Sequence, residues 1–392
     1  MSRVLVYIDS LKAGGAERVA LQFASWLAEG GHHALMLTRR PASDDFYPVP
    51  AGLERLVEPP QPAWLRRLGP LGFPLRLLRL RRVLNQQQPD LVLALTTLPA
   101  VKVLLAATGL RLPVVVSERN YPPAKPLAWP WRCLRRMTYP RAALHLVQTA
   151  EIARWLKQHR LARSTSVLAN AIHWPLPTFA PQQSPAAWLQ PHQPLLLAVG
   201  TKAHQKGFDW LVQAFAAVSE RYPQWRLVLL GLTSDAYRGQ DQVKGLVAGL
   251  SPEHPARSRI LFPGRIGNVA DWYERADLFV LSSRYEGFPN VLLEAMASGV
   301  ASIALDCPTG PSDLIEDGVN GCLLPLLSEG QVTQLADALH RLMDQAETRL
   351  RFGQAAVAVR ERFSPSRQRE VFLQALSPWL QSAPGQEGVR GG

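Results

Sequence analysis

Tyr285-Glu286-Gly287-Phe288-Pro289-Asn290-Val291-Leu292-Leu293-Glu294-Ala295-Met296-Ala297-Ser298-Gly299 sets two carboxylates on either side of a loop that turns into a helix. Pro289 suits the first helical turn, where no amide hydrogen is needed, and Gly299 suits the stop. The amides of Asn290, Val291 and Leu292 are then expected free at a helix N-terminus, a ready anion site. Glu286 stands on the loop before that site and Glu294 about a turn and a half inside it. A phosphate cradle between two carboxylate acceptors suits a diphosphate flanked by hydroxyl-rich sugars, which describes a nucleotide-sugar. One alternative is a helix capped by chance, its glutamates solvated. Against it, Glu294 runs into Ala-Met-Ala-Ser, a stretch suited to close packing, where a charge needs a reason. A glycosidase carboxylate pair is a second alternative, and the phosphate-type helix start fits it poorly.

Outward from this stretch, apolar strand patterns alternate with helical ones. Arg3 to Ile8, Ala34 to Thr38, Leu91 to Thr96, Pro113 to Ser117 and Leu144 to Gln148 read as strands. Ala16 to Glu29 and Pro99 to Thr108 read as helices between them. A Pro- and Gln-rich stretch breaks the rhythm and reads as a linker. Strands resume at Leu195 to Val199, Arg226 to Leu230, Arg259 to Phe262, Leu278 to Ser282 and Ala301 to Leu305. Phe208 to Arg221, Ala270 to Arg275, Asn290 to Ser298 and Gln331 to Gln345 are the matching helices. Such alternation means parallel sheets with right-handed crossovers, hence two doubly wound domains. The boundaries expected are 1–175, a linker at 176–193 and 194–365, with a tail at 382–392 expected to be disordered.

The stretch around Glu286 and Glu294 resembles the donor-site signature of the retaining family-4 glycosyltransferases, and the likeness runs from Ile8 to about Pro325. It implies the GT-B fold, two Rossmann-like domains facing a central cleft, with the helix at about 366–380 crossing back onto the first. It also implies roles: Glu294 on ribose hydroxyls, Glu286 with Gly287 and Phe288 at the transferred sugar, Asn290 and Val291 at the diphosphate. The Ser117-Glu118-Arg119-Asn120 segment replaces the histidine common at that part of the cleft. It looks like a subset that extends polyprenyl-diphosphate-linked sugars, with Arg119 on an acceptor diphosphate, Glu118 orienting an acceptor hydroxyl and Asn120 beside them. A salt-bridged Glu118–Arg119 pair is the structural alternative.

Further candidates follow strand ends, where doubly wound folds bind ligands. Lys206, with Gly207, comes just after Leu195 to Val199 and can reach a diphosphate, although a solvated loop lysine is common. The family usually shows Gly-Arg in this loop; here Thr201 stands in place of the arginine, and Lys202 is the neighbouring charge that would replace it. Lys lacks the bidentate fork of Arg. Gly14 and Gly15 open a helix after the first strand and let backbone approach a ligand, though the dinucleotide fingerprint is incomplete. The resemblance places them opposite the sugar-diphosphate, and places Arg265 and Ile266 at the nucleobase. A tight turn is the plain reading of Gly14 and Gly15, as a structural corner is of Asp306 to Pro311.

Composition limits the class. The chain has 392 residues, enough for two sizeable cores. Cys133, Cys307 and Cys322 lack metal-ligand spacing, and no Asp-x-Asp metal clamp occurs, so no metal and no cofactor are expected. No transmembrane run or signal peptide is evident. The net charge of +12 is uneven. Six arginines (Arg66, Arg67, Arg76, Arg79, Arg81, Arg82) fall between Trp64 and Asp90, which is the one acid there. Leu75 to Leu84 interleaves them with leucine, and Trp129-Pro130-Trp131-Arg132-Cys133-Leu134-Arg135-Arg136 repeats the pattern. Basic amphipathic helices of this kind read as binding an anionic membrane surface, or as packing helices with a solvated basic face. No nucleic-acid motif accompanies the charge. The expectation is a cytoplasmic, peripheral enzyme moving a sugar from a nucleotide-sugar, a UDP-sugar by preference, to a lipid-linked saccharide. Lys206 and Glu286 are its catalytic candidates. A nucleotide-sugar epimerase or hydrolase of the same fold, or a non-catalytic binding subunit, is the alternative.

Overall fold

A computed structural model describes residues 1–380 apart from Ala13, Ala51, 233–235, 238–239 and 242. The tail at 382–392, expected to be disordered, lies outside the described residues. The chain divides into two compact units, Met1–Asn170 together with the chain from Gln368 on, and Ala171–Arg367.

The first unit holds strands β1 (Arg3–Ile8), β2 (His33–Thr38), β3 (Glu54–Val57), β4 (Leu91–Leu95), β5 (Val114–Glu118), β6 (Leu144–Val147) and β7 (Thr165–Val167). They form one parallel sheet in the order β3-β2-β1-β4-β5-β6-β7. Every residue of β4 and β5 is buried, as expected for central strands covered by helices on both faces. The chain reverses direction between β1 and β4, so the carboxyl ends of those two strands open a crevice.

The second unit repeats the plan with β8 (Leu195–Val199), β9 (Arg226–Leu230), the short hairpin strands β10 (Ala236–Tyr237) and β11 (Gln240–Asp241), β12 (Ile260–Gly264), β13 (Leu278–Leu281), β14 (Ser302–Asp306) and β15 (Cys322–Pro325). Its six-stranded sheet is ordered β12-β9-β8-β13-β14-β15, with the reversal between β8 and β13. Helices Phe208–Val218 and Gln331–Asp344 bury Leu211, Phe215, Leu335 and Leu339 completely against it. Burial of this apolar area is what drives each unit to fold.

β3, β7 and β15 have no counterpart in the sequence reading, and all three are sheet edges. Glu54-Arg55-Leu56-Val57 and Thr165-Ser166-Val167 are half-solvated and lack the apolar run of a central strand, while Pro325 closes β15. The segment expected as a linker is bound to the second unit along much of its length. The Phe179 amide donates to the Gly267 carbonyl at 3.0 Å, and just ahead of the segment the Ile172 amide donates to the Phe363 carbonyl at 2.8 Å. The Asn268 side chain bonds the Gln183 amide and carbonyl at 2.9 and 3.1 Å, and Trp272 Nε1 donates to the same carbonyl. A Cβ on Gly267 would stand 2.2 Å from the Phe179 carbonyl oxygen, so only glycine lets this strap lie so close.

The last helix, Pro365–Leu376, ends four residues before the expected limit and passes into a 3-10 turn at Ser377–Trp379. Phe372 is fully buried in the first unit, stacked on Phe23 at 4.5 Å between centroids and tilted against Trp26 at 5.7 Å. The C-terminal chain thereby completes the core on the far side of the helix Gly15–Glu29.

His145 of β6 is fully buried beside the Tyr139 ring, 5.1 Å between centroids, and neither of its ring nitrogens has a hydrogen-bond partner. Burial without a partner disfavours the imidazolium and lowers its pKa from 6.5 to about 4. The folded chain therefore keeps His145 neutral while the unfolded chain takes up a proton below pH 6.5. Stability present above that pH is lost as pH falls from 6.5 towards 4, to a limit of about 3 kcal/mol. Glu118, whose carboxyl is raised by burial, works with the opposite sign, so the variant comparison isolates the histidine. Denaturant unfolding between pH 7 and 4.5 should show a shallower acid loss for His145→Leu than for the wild type; equal slopes would refute the neutral buried imidazole.

Candidate functional site

Lys206 follows β8 and Glu286 follows β13, the two strands flanking the reversal in the second sheet. The topology alone thus brings them together. Lys206 Nζ lies 2.7 Å from Glu286 Oε1, with both side chains largely buried. Ser283 Oγ donates to the same Oε1 at 2.6 Å, and Thr309, from the loop after β14, donates its hydroxyl to the Glu286 carbonyl. Gly207 sits at φ +61°, and a Cβ there would stand 2.0 Å from the Ser282 carbonyl oxygen. Glycine is what allows the loop after β8 to press against the end of β13.

A second set of bonds laces these two loops. Arg284 grips Asp209 through both guanidinium nitrogens at 2.7 and 2.6 Å and donates to the His204 carbonyl at 2.7 Å. It also covers the Trp210 ring at 3.7 Å. The Arg284 amide donates to the Gln205 carbonyl at 2.8 Å, and Ser282 Oγ to the Lys206 carbonyl at 2.8 Å. Lys202 is exposed at the start of the one-turn helix Ala203–Lys206.

The expected helix is present at Asn290–Ala297, but Pro289 caps it instead of lying in its first turn. The amides do not stand free as expected. Asn290 donates to the Phe288 carbonyl and Leu292 to the Pro289 carbonyl, both at 3.0 Å. The tight Phe288-Pro289-Asn290 turn consumes them, and only the Val291 amide takes part in no backbone bond there. Gly310 approaches this turn at φ +101°, where a Cβ would stand 2.3 Å from Pro289 Cδ. Glu294 accepts from Tyr273 Oη at 3.3 Å, and that hydroxyl also donates to the Val291 carbonyl at 3.1 Å. Burial, then the Glu294 charge, pushes the Tyr273 pKa well up. Phe288 is buried edge-on to Phe363, and Gly287 is half-buried beside it. Ile266 is buried after β12 while Arg265 is exposed.

In the first unit, Gly14 caps the helix Gly15–Glu29 in extended backbone, with the Glu17 carboxylate folded over it. Glu118 ends β5 fully buried, accepting from Tyr139 Oη at 2.9 Å and from Thr97 Oγ1 at 3.0 and 3.1 Å. Arg119 turns away from it. Arg119 donates to Asn170 Oδ1, lies 5.9 Å over the Phe23 ring and is itself buried, its pKa lowered to about 9 chiefly by burial. The salt-bridged Glu118–Arg119 pair is not formed. Asn120 takes Lys125 Nζ as a partner.

Sequence reasoning missed Tyr273, Ser283, Thr309, Arg284, Asp209, Thr97 and Tyr139. These hydroxyls carry no sequence signal, since Ser, Thr and Tyr abound on loops. Arg284 was within reach, because a guanidinium beside Tyr285-Glu286 needs a carboxylate that Asp209 supplies.

Two family models match the chain: Glycosyltransferase Family 4 over residues 13–173, and Glycosyl transferases group 1 over residues 193–345. An uncharacterized glycosyltransferase of Haemophilus influenzae is 29% identical over 152 residues, 39% of this chain and 40% of its own length. The chain therefore spans less than half of that relative. A Campylobacter jejuni alpha-1,4-N-acetyl-D-galactosaminyltransferase acting on a GalNAc-containing saccharide on diNAcBac-PP-undecaprenol is 26% identical over 332 residues, 83% of this chain and 85% of its own. An Anabaena protein solved in complex with UDP superposes with a TM-score of 0.72 at 20% identity, over 96% of this chain and 100% of its own. At that identity the last likeness shows the fold, which is GT-B.

The buried pair carries a stability prediction. Removing one partner strands a buried charge, so Lys206→Met should lower stability by about 3–5 kcal/mol, whereas Lys206→Met with Glu286→Leu should recover part of the loss. Urea unfolding of the four-member cycle measures the coupling, and additive losses would mean that the contact is inert.

Proposed function

The chain belongs to the glycosyltransferases of family 4 and group 1, and within them we propose that it transfers a sugar, with retention, from a UDP-sugar to a membrane lipid-linked saccharide. The observation that carries the donor half is the Lys206–Glu286 pair at the reversal of the second sheet, with Glu294 on the next helix. An ammonium has three donors, and Glu286 occupies one of them. The others are available to the diphosphate, along with the Val291 amide and Lys202. Both side-chain bonds of Glu286 converge on Oε1, which leaves Oε2 for a hydroxyl of the transferred sugar. Glu294 takes ribose hydroxyls, steadied by Tyr273. Ile266 and Arg265 border the base, and Gly287 and Phe288 shape the sugar end.

Charge developing on the leaving diphosphate is met by Lys206 and the Val291 amide, as electrostatic stabilisation. In this reading the leaving phosphate takes the acceptor's proton on the same face of the sugar, and no metal and no cofactor take part.

The acceptor half rests on the activity of the Campylobacter relative and on the surface of the first unit. Trp64, Leu71, Leu78, Trp129 and Met137 are exposed there, Leu71 at 82%, amid the exposed Arg66, Arg67, Arg82, Arg132 and Arg136. Such a surface fits the inner face of an anionic membrane. The other arginines of the cluster serve the fold: Arg76 bonds the carbonyls of Leu65 and Gly69, Arg79 that of Pro60, and Arg81 those of Ala106 and Thr108. No helix among the described residues is long and apolar enough to cross a membrane.

Two measurements test this reading. UDP at a hundredfold over its dissociation constant should stabilise the protein by about 2.7 kcal/mol, and Glu294→Ala should abolish the effect; stabilisation by no nucleotide in a folded protein would sink the donor site. Leu71→Glu with Leu78→Glu should release the protein from phosphatidylglycerol vesicles while leaving the UDP effect intact. Sedimentation with vesicles reads this directly, and undiminished binding would remove the membrane surface from the account.

A further inference from the structure

Arg119, the residue expected to hold an acceptor diphosphate, is occupied inside the first unit. A different set of cations lines a cavity of about 410 Å³ in that unit: Arg39, Lys102, Lys125 and Arg135, beside Asp9 and Glu118. The cavity is lined from the ends of β1, β4 and β5, through Asp9, Thr96, Thr97 and Glu118, at the reversal of the first sheet where doubly wound folds take ligands.

Arg39 is held by Asp9 at 2.6 Å through two nitrogens, and Lys102 stands 3.5 Å from the same carboxylate. Asp9 therefore answers two cations with one charge. Arg135 is 9% exposed and lies 5.4 Å over the Trp155 ring, and its Nε is buried with no hydrogen-bond partner. A donor buried without a partner is costly and marks a place for an acceptor. Four cations face two carboxylates, so the lining carries an excess of positive charge. Leu98, Pro99, Pro122 and Leu127 supply an apolar rim.

We propose that this cavity is the anion subsite for the acceptor, holding its diphosphate between Lys102, Lys125 and Arg135, with the Glu118 carboxylate left to orient a sugar hydroxyl next to it. The assignment rests on the lipid-linked acceptor reading above, and it moves the diphosphate contact from Arg119 to those three cations. Thr97 and Tyr139 fix the Glu118 carboxylate by donating to it. Both oxygens thus have defined directions before any acceptor arrives, which is what an orienting group requires.

The experiment uses the full chain saturated with UDP, so that the donor site is filled, and titrates inorganic pyrophosphate and farnesyl diphosphate by calorimetry. Lys102→Gln and Lys125→Gln should each weaken both ligands about fivefold or more, with UDP affinity unchanged. Arg135→Gln should do the same, and if it fails to fold the two lysine variants still decide. Phosphatidylglycerol vesicles form the third arm, whose binding should be untouched by these substitutions. Farnesyl diphosphate affinity within twofold of wild type in both lysine variants would overturn the subsite. Pyrophosphate binding that vanishes once UDP is present would assign the anion to the donor site and overturn it equally. Loss of vesicle binding would instead assign the cations to lipid headgroups and also overturn it. Failure of UDP itself to bind would count against the proposed function, a separate result.

Discussion

The Lys206–Glu286 ion pair is the contact that joins the two loops at the reversal of the second sheet. It spans 80 positions of sequence, and nothing local holds its two ends together. The parallel sheet does so by placing β8 beside β13, and the glycine at 207 lets the loops close to contact. Arg284 and Asp209 then lock the loops from behind, with a bidentate grip that fixes direction as well as distance. A lysine tied in this way loses little freedom when an anion arrives. Its positive charge is already desolvated and aimed, which is the condition under which electrostatic stabilisation is strong.

Much of this was legible in the chain. The two-unit doubly wound plan follows from the strand–helix alternation, because central parallel strands such as Leu91–Leu95 read as unbroken apolar runs. The edge strands did not read, since half-solvated segments such as Glu54–Val57 carry neither an apolar run nor a clean alternation. The stretch from Glu286 to Glu294 suggested an anion site through its spacing of carboxylates around a helix start. What the spacing does not encode is the Phe288-Pro289-Asn290 turn, which spends two of the three amides on backbone carbonyls. Nor does it encode who meets whom: the Lys206–Glu286 contact is a product of topology, and hydroxyls such as Ser283 and Thr309 become visible only once the loops are folded.

Arginine use in the first unit shows why charge runs mislead when counted. Between Trp64 and Asp90 the sequence presents six arginines as one basic face. In the fold, Arg76, Arg79 and Arg81 point their guanidinium groups at backbone carbonyls where short helices and loops end, satisfying acceptors that would otherwise be stranded. Only part of the run is left for solvent or lipid. The helix Phe73–Gln87 is also a packing helix, burying Leu80, Val83 and Leu84 in the core. The packing reading of the amphipathic pattern therefore holds for the buried face of this helix, while Leu75 and Leu78 stay exposed.

The same division separates Arg119 from Arg135. Both are buried, and the sequence favoured the first because Ser117-Glu118-Arg119-Asn120 resembles a subset that extends lipid-linked sugars. Arg119 stands just past the end of β5, beyond Glu118, and does not line the cavity. Arg119 accordingly meets Phe23 and Asn170, while Glu118 faces the cavity that Arg135 also lines from the helix Trp129–Thr138. Each sheet therefore presents a carboxylate with a buried or half-buried cation at its own reversal: Glu286 with Lys206 in one, and Glu118 with Lys102 and Arg135 in the other. The first pair is closed by direct contact and needs only an anion to share the lysine. The second is held apart, its carboxylate satisfied by hydroxyls and its cations underused. That difference in pairing, and not any difference in topology, separates the two sites: one carboxylate is bonded to its cation, the other to hydroxyls.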